Sequence, residues 1–317
     1  MKTPAFWTDR NLISTLLAPL GSLYALATKL NISTHTPQKV NAPVICIGNL
    51  TAGGTGKTPT AASLASLLQT EGKKPFFVSR GYGGKLQNVV VNPNKHSPQE
   101  VGDEPLILAR QAPAVVNPNR YEGALTAIQN GAELIIMDDG FQNPRLHKDL
   151  SFLVFDGGFG YGNGKCIPAG PLRENLQDGL KRADAILIIG EDRHNLARQF
   201  DLPVFNGKIT PVQPTFPERK AIAFAGIGRP EKFYQSLREL NFELLQTHDF
   251  PDHHFYTENE LKQLIQTANK KEAVLITTAK DYVKIPQGLR KHFQVLEITI
   301  NWQKPQELKE FILQRIK

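Results

Sequence analysis

The feature that most constrains this chain is a short apolar segment, a glycine-rich loop and a helical pattern in direct succession. Residues 44–47 are apolar and rich in β-branched side chains, which is typical of a buried strand. The loop occupies residues 48–56, and apolar side chains then recur at helical spacing until Gly72. Strand, glycine loop and helix in this order predict a phosphate-binding loop (P-loop).

The residue types in this loop suit a nucleoside triphosphate with its Mg²⁺. Glycines let backbone N–H groups approach phosphate oxygens without a Cβ clash, and the start of the helix adds its positive dipole end. We expect Lys57 to reach the β- and γ-phosphates and the Thr58 hydroxyl to bind the metal. Thr51 stands where the strict P-loop pattern has glycine. The predicted nucleotide contacts in the loop are Gly53, Gly54, Thr55, Gly56, Lys57 and Thr58.

A second segment supplies the acidic residue that a P-loop needs. Residues 134–137 read as a strand, and Asp138-Asp139-Gly140 follows directly. Taken alone, this triplet would indicate a helix cap or a hairpin turn. Beside a P-loop, a carboxylate here is expected to hold Mg²⁺ directly or through water. Asp138 is the favoured ligand because it comes first after the strand, but the sequence does not separate it from Asp139.

Strand and helix patterns alternate through the rest of the chain and predict an α/β fold. We expect a P-loop NTPase-like, doubly wound and mainly parallel sheet, followed by a second, smaller α/β domain. A proline-rich stretch at residues 210–217 marks the linker. The predicted parts are an N-terminal membrane-associated helix (1–35), a core domain with the P-loop (36–211) and a C-terminal domain (212–317).

The N-terminal segment carries an apolar face at helical spacing. Polar residues and Pro19 interrupt it, which argues against a spanning helix. Two interpretations remain open: an amphipathic helix lying on a membrane surface between Arg10 and Lys29, or a helix packed on the domain behind it. Trp7 and Tyr24 favour the membrane. The residues of the apolar face are Leu12, Leu16, Leu20, Leu23, Ala27 and Leu30.

Charge and cysteine content narrow the choice of partners. The formal net charge of +7 favours an acidic partner, which includes nucleic acid, anionic lipid and a phosphorylated substrate. No dense block of Lys and Arg occurs, so we expect no nucleic-acid partner. Cys46 and Cys166 are far apart and suggest neither a metal pair nor a disulfide framework, which fits a reducing cytoplasm.

The P-loop segment, residues 48–59, resembles that of the tetraacyldisaccharide 4′-kinases of the lipid A pathway, which also lack glycine at the position of Thr51. The resemblance extends over nearly the whole chain, as far as Asp281. In residues 277–281, Ala279 stands where the family more often has an acidic residue, and we assign this segment no role. Further matching segments are residues 79–84, 101–105, 138–142, 168–174, 226–230 and 252–254.

The resemblance implies a reaction, its partners and a location. ATP, with Mg²⁺, would phosphorylate the 4′-hydroxyl of a tetraacylated glucosamine disaccharide 1-phosphate, a lipid A precursor. The implied enzyme is peripheral at the cytoplasmic face of the bacterial inner membrane, and we expect a monomer. Two other hypotheses remain open: a membrane-associated P-loop ATPase switch, and a lipid-binding module with a relic P-loop. A GTPase is disfavoured because no Asn-Lys-x-Asp signature follows a strand.

A hydroxyl that attacks phosphorus must lose its proton, so a base within hydrogen-bond reach is expected. The family is thought to use an aspartate–histidine pair, which matches Asp103 and His253; His254 is the alternative. From the sequence alone, Asp103 is equally well a helix cap, and the two histidines a solvated turn. Glu104 follows Asp103 and is predicted to contact the substrate.

The segment 168–174 contributes a further predicted catalytic residue. Arg173 follows a Pro-Ala-Gly-Pro turn and is predicted to stabilise charge on the transferring phosphate; a surface salt bridge with Glu174 or Asp178 is the alternative. Gln142 is a predicted nucleotide contact. The predicted substrate contacts are Tyr82, Glu104, Asp139 and Glu174.

Overall fold

Two mainly parallel β-sheets organise the chain. The computed structural model describes residues 4–214, 216–228, 230–252 and 254–316. The predicted base His253 lies outside the described residues, as does Arg229 of the matching segment 226–230.

Helices and strands alternate along the described chain, with short 3₁₀ helices at Ala5–Trp7 and Gln287–His292. The strands are β1 (Val44–Gly48), β2 (Pro75–Ser79), β3 (Val89–Val90), β4 (Ala114–Val116), β5 (Leu134–Asp138), β6 (Leu150–Asp156), β7 (Ala185–Ile189), β8 (Val204–Pro211), β9 (Lys220–Ala225), β10 (Glu243–Asp249), β11 (Val274–Thr278), β12 (Phe293–Leu296) and β13 (Ile298–Trp302). The helices are α1 (Leu12–Leu16), α2 (Ala18–Ser33), α3 (Lys57–Gln69), α4 (Pro98–Val101), α5 (Asp103–Leu108), α6 (Arg120–Gln129), α7 (Leu176–Leu180), α8 (Leu196–Gln199), α9 (Pro230–Glu239), α10 (Glu258–Lys270), α11 (Ala279–Tyr282) and α12 (Pro305–Arg315).

The larger sheet has the strand order β13-β8-β7-β6-β1-β5-β2-β4-β3. Its strands pair in parallel except at the two edges, where β3–β4 and β13–β8 are antiparallel. Apolar side chains of α3, α5 and α12 pack on one face, and those of α6 and α7 pack on the other. The predicted doubly wound α/β fold is confirmed. We call this sheet with its helices the larger lobe.

The smaller sheet has the order β10-β9-β11-β12 and is parallel throughout. Helix α9 covers one face through Phe233, Tyr234 and Leu237, and α10 covers the other through Leu261 and Leu264. We call this sheet with α9, α10 and α11 the smaller lobe.

The end of the chain returns to the larger lobe. Strand β13 pairs with β8, and the indole N–H of Trp302 donates to Ser63 Oγ on α3 at 2.9 Å. On α12, Leu308 and Ile312 are fully buried in the core of the larger lobe. Strand β13 and helix α12, which lie within residues 212–317, therefore pack on the larger lobe, and the domain boundaries stay a prediction. The apolar stripe of α12 shows that one side is buried, but it does not say against which sheet.

Helices α1 and α2 present their leucines outward. The side that contacts the larger lobe carries small residues: Ser14 and Gly21 are buried, and a Cβ at Gly21 would lie 2.7 Å from the Cys166 carbonyl oxygen. All six residues of the predicted apolar face are exposed, among them Leu12 at 75% and Leu23 at 63%. The apolar face is therefore not the side that packs on the domain. Within the described ranges, no helix has both the length and the apolar character needed to cross a bilayer.

The packing of α12 on the larger lobe leads to a prediction about stability. We expect Leu308→Ala to lower the free energy of unfolding by about 2–5 kcal/mol, because it opens a cavity in a fully packed core. Urea unfolding followed by tryptophan fluorescence would measure this. Gln306→Ala, at an exposed position of the same helix, should change it by less than about 0.5 kcal/mol. Equal stability of the two variants would contradict the packing of α12 on the larger lobe.

Candidate active site

The P-loop connects β1 to α3 with an open, glycine-dependent backbone. Gly53 and Gly56 have φ values of 121° and 86°, a region that residues with a Cβ rarely adopt. Gly56 is the N-cap of α3 and offers no side chain to the first N–H groups of the helix, which are therefore available to an anion. A Cβ added at Gly53 or Gly54 would meet nothing within 4 Å, so the described chain leaves space above the loop.

Thr51 has a structural reason to depart from the glycine of the strict pattern. It is buried and forms an isolated β-bridge with Leu172, beside a hydrogen bond from the Ala52 N–H to the Pro171 carbonyl at 2.7 Å. The buried side-chain amide of Asn49 donates to the Thr51 carbonyl at 2.6 Å and to Thr55 Oγ1 at 3.1 Å. The loop is thus braced from inside and by the segment 168–174.

The same segment places Arg173 at the site. Its backbone N–H donates to the Leu50 carbonyl at 2.7 Å, and its guanidinium donates to both carboxylate oxygens of Asp139, at 2.9 and 3.1 Å. Among the described residues, the carboxylate that pairs with Arg173 is that of Asp139, and not that of Glu174 or Asp178. Asp139 also lies 3.6 Å from Lys57 Nζ, so one carboxylate connects both cations.

Asp138 and Thr58 meet because β1 and β5 are parallel neighbours, with Ile47 opposite Asp138. The Thr58 hydroxyl donates to Asp138 Oδ2 at 3.2 Å, whereas the buried Oδ1 has no hydrogen-bond partner among the described residues. Burial raises the pKa of Asp138, and the negative charge of Glu104 raises it further. The positive charge of Lys57 lowers this pKa, but it does not offset the effects of burial and of Glu104.

Asp139 has the opposite electrostatic balance. Burial raises the pKa of this carboxyl, but the charges of Lys57 and Arg173 outweigh it and lower the pKa below its ordinary value. Its backbone is in the left-handed region, with φ of 53°, which turns the chain directly after β5. The structure therefore separates the two aspartates: Asp138 contacts Thr58, and Asp139 contacts the cations.

The acidic pair Asp103–Glu104 opens α5 close to this group. The N-cap of α5 is Gly102, and Asp103 Oδ1 accepts the N–H of Glu104 at 3.0 Å, so Asp103 is not the capping residue. Burial and Asp103 raise the pKa of Glu104, while Lys57 acts in the opposite direction. The backbone of Tyr82 packs on Gly102, where a Cβ would lie 2.8 Å from the Tyr82 carbonyl. Tyr82, itself exposed, therefore stands beside the start of α5.

Gln142 and Glu174 lie beneath the P-loop. Gln142 Nε2 donates to the Asn49 carbonyl and to Glu174 Oε1, both at 2.9 Å. Glu174 is buried and forms an ion pair with Arg182. Direct contact of Gln142 with nucleotide and of Glu174 with substrate stays a prediction; the bonds that the structure gives them support the loop from below.

The side chain of His254, the alternative base, has contacts within the smaller lobe. Its ring stacks on Phe250 with centroids 4.9 Å apart, and its Nε2 lies 3.1 Å from Glu260 Oε1. Glu260 in turn accepts the N–H and hydroxyl of Thr257 at the start of α10. These contacts give His254 partners within the smaller lobe, and the choice between His253 and His254 as the base stays a prediction.

Arg120 is a residue of the site that the sequence analysis did not identify. It is the first residue of α6, is buried, and donates from Nη1 to the Asn117 carbonyl at 2.9 Å. Its Nε has no hydrogen-bond partner among the described residues. Burial lowers its pKa to about 10, against the influence of Asp139. The only signal in the sequence was its place shortly after the strand pattern at residues 114–116.

Comparison with known proteins gives a consistent result. A family model described as Tetraacyldisaccharide-1-P 4′-kinase matches residues 13–317. A tetraacyldisaccharide 4′-kinase of Paramagnetospirillum magneticum is 46% identical over 311 residues, which cover 96% of each chain. One of Parvibaculum lavamentivorans is 50% identical over 297 residues, which cover 90% of this chain and 87% of the relative.

A solved structure agrees at the level of the fold. The crystal structure of LpxK from Aquifex aeolicus in complex with ATP matches with a TM-score of 0.78 and 28% identity, covering 96% of this chain and 100% of that one. Together with the family model and the curated relatives, it confirms the resemblance seen in the motifs. The chain belongs to the tetraacyldisaccharide-1-P 4′-kinase family.

Proposed function

We propose that the chain transfers the γ-phosphate of ATP to the 4′-hydroxyl of a tetraacylated glucosamine disaccharide 1-phosphate, giving the 1,4′-bisphosphate and ADP. The observation that carries this proposal is the convergence of four groups at one edge of the larger sheet. The P-loop follows β1, Asp138 ends β5 and Asp139 follows it, Arg173 is bound to Asp139, and Asp103 with Glu104 starts α5. A kinase needs this combination of phosphate cradle, metal ligand, cation and acid–base group.

The P-loop would hold the triphosphate through its backbone. The N–H groups from Gly53 to Thr58 and the dipole of α3 provide the donors, and Lys57 supplies a positive charge at the β- and γ-phosphates. Lys57 is only 11% exposed and is paired with Asp139 at 3.6 Å, so it is already oriented toward the edge of the sheet. Little reorganisation is then needed when phosphate replaces Asp139 as its partner.

Thr58 and Asp138 fit a Mg²⁺ ion. The hydroxyl and the carboxylate are adjacent, both are hard oxygen ligands, and Asp138 Oδ1 is a buried acceptor without a partner among the described residues. When bound, the metal would neutralise charge on the phosphates, and these two residues would hold it. Arg173, fixed by Asp139, would add a positive charge for the transferring phosphoryl group.

Asp103 and His253 would act together to remove the proton of the attacking hydroxyl. In this proposal His253 accepts the proton, and the Asp103 carboxylate fixes the tautomer of the imidazole and stabilises its charged form. Two observations support the choice: Asp103 is 92% buried at the start of α5 without being its cap, and His254 is bound within the smaller lobe. We assign contact with the substrate to Tyr82, which is exposed beside this acidic pair, and to Glu104.

The exposed leucines of α1 and α2 would place the enzyme at the cytoplasmic face of the inner membrane. The lipid substrate resides in a bilayer, and an apolar helix face turned away from the protein suits the headgroup region. Burying such leucines contributes about 1.5–3 kcal/mol each. We propose that the enzyme is a peripheral monomer.

Transfer of labelled phosphate tests the proposed reaction. We expect the purified protein with γ-labelled ATP and Mg²⁺ to label a detergent-dispersed tetraacyldisaccharide 1-phosphate. Lys57→Ala should reduce the rate by at least about 100-fold, because it removes a preorganised charge from the reacting phosphate. Lys73→Ala, an exposed lysine just after α3, is the matched control and should leave the rate unchanged. ATP consumption that does not depend on the acceptor would contradict the kinase and favour an ATPase switch.

Binding to vesicles tests the membrane proposal. We expect Leu23→Glu to weaken sedimentation with phospholipid vesicles by about tenfold or more, because a buried apolar side chain becomes charged. Ser22→Glu adds the same charge at the neighbouring exposed position and should have a small effect. The proposal fails if both variants lose the same amount, since charge alone would then explain the loss.

A further inference from the structure

Lys280 lies where the smaller lobe meets the acidic pair of the larger lobe. It is the second residue of α11, which follows β11 directly, so it stands at the carboxyl end of the smaller sheet. Helix α11 packs against α5, the helix that begins with Asp103 and Glu104. Lys280 belongs to the segment 277–281, to which the motif analysis assigned no role.

The positive charge of Lys280 acts on two acidic residues, Asp252 and Glu104. Its Nζ lies 3.1 Å from Asp252 Oδ1, and each side chain of this pair is only about one quarter exposed. Across the gap between the lobes, Lys280 lowers the pKa of Glu104, as Lys57 does from the larger lobe. The ammonium group of Lys280 therefore interacts with Asp252 in its own lobe and with Glu104 at the candidate active site.

The backbone that carries Lys280 is rigidly held. The neighbouring Asp281 is fully buried and accepts hydrogen bonds from the Gly226 N–H at 3.0 Å, from the Thr278 hydroxyl at 2.7 Å and from Lys284 Nζ at 3.1 Å. Thr278 caps the helix by accepting the Asp281 N–H. These bonds tie the start of α11 to the end of β9, so the position of Lys280 is fixed before any ligand binds.

Asp252 connects this arrangement to the proposed chemistry, because it immediately precedes His253 in the chain. We propose that Lys280 is a positioning residue of the kinase reaction: by pairing with Asp252 from a helix that packs against α5, it holds in place the residue that precedes His253 in the chain. This inference rests on the proposed function, in which His253 and Asp103 act together. Lys280 would then act on turnover through His253 and not by binding the nucleotide.

The pair of Asp252 and Lys280 is less exposed than the lysine–acid pair on the surface of α10. Lys262 and Glu258 are paired at 2.8 Å on α10, but both side chains are more than half exposed. Such surface pairs contribute little to stability and are free to rearrange. Lys262→Met is therefore a matched control for Lys280→Met.

Steady-state kinetics of four variants tests the proposal. We expect Lys280→Met to lower kcat by about 10- to 100-fold, because a displacement of about 1 Å in a catalytic group has an effect of this size. The KM for ATP should change by less than about threefold. Lys280→Arg should retain most of the turnover, Asp252→Asn should reproduce the loss in kcat, and Lys262→Met should match the unaltered protein.

A double variant separates positioning from a direct role. If Lys280 acts through His253, the variant with both Lys280→Met and His253→Ala should be no slower than His253→Ala alone. Multiplicative losses would overturn the proposal, and so would wild-type turnover of Lys280→Met or a loss confined to the KM for ATP. Should Lys280→Met fail to fold, as judged by its melting temperature, Asp252→Asn and Lys280→Arg decide the question by the same criteria.

Failure of this inference is distinguishable from failure of the proposed function. The proposed function fails if the unaltered protein does not label the acceptor, or if His253→Ala turns over normally. If the protein labels the acceptor and His253→Ala is slow while Lys280→Met is not, only the role of Lys280 is overturned.

Discussion

The parallel pairing of β1 with β5 is the constraint on which the site depends. Because Ile47 lies opposite Asp138, the P-loop and the carboxylate emerge side by side at the same edge of the sheet. Gly48 is part of this arrangement, since a Cβ there would lie 2.4 Å from the Cβ of Phe141 in the loop that follows Asp139. Thr58 can reach Asp138 because the loop after β1 and the loop after β5 leave the sheet side by side, where Gly48 approaches Phe141.

The second organising principle is the balance of buried charge. The negative charges of Asp103, Glu104, Asp138 and Asp139 lie close enough to repel one another, and burial adds to this by raising the pKa values of Glu104 and Asp138. An uncompensated buried carboxylate costs on the order of several kcal/mol. Lys57 and Arg173 compensate Asp139, whereas Asp138 keeps an oxygen without a partner among the described residues. The imbalance is concentrated where a metal ion and a polyanion would together restore it.

Local patterns predicted the centre of the site, and contacts distant in sequence decided the rest. The P-loop and Asp138 were predicted because each directly follows a strand pattern, whereas the role of Asp103 came from the family resemblance. Arg120 was missed, since only the folded sheet brings it near Asp139. The sequence also could not predict which sheet α12 packs on, because the apolar stripe of this helix fits either sheet equally well.

The resemblance identified the family correctly, but it did not show how individual motif residues are used. Gln142 and Glu174 were expected to contact ligands, yet their described bonds brace the P-loop, which a motif cannot distinguish from ligand binding. Thr51 looked like a departure from the P-loop pattern, and its bridge to Leu172 explains it. Asp138 and Asp139 have different partners, Thr58 and Arg173, which no sequence spacing reveals.

The central claim is that the P-loop and Asp138 form one site for a metal–nucleotide complex. Calorimetric titration with a non-hydrolysable ATP analogue, with and without Mg²⁺, tests it most directly when Asp138→Asn is measured beside the unaltered protein. The account predicts binding that Mg²⁺ strengthens in the unaltered protein and a loss of that strengthening in Asp138→Asn. Absence of binding to the folded protein, or the same response to Mg²⁺ in both proteins, would contradict it.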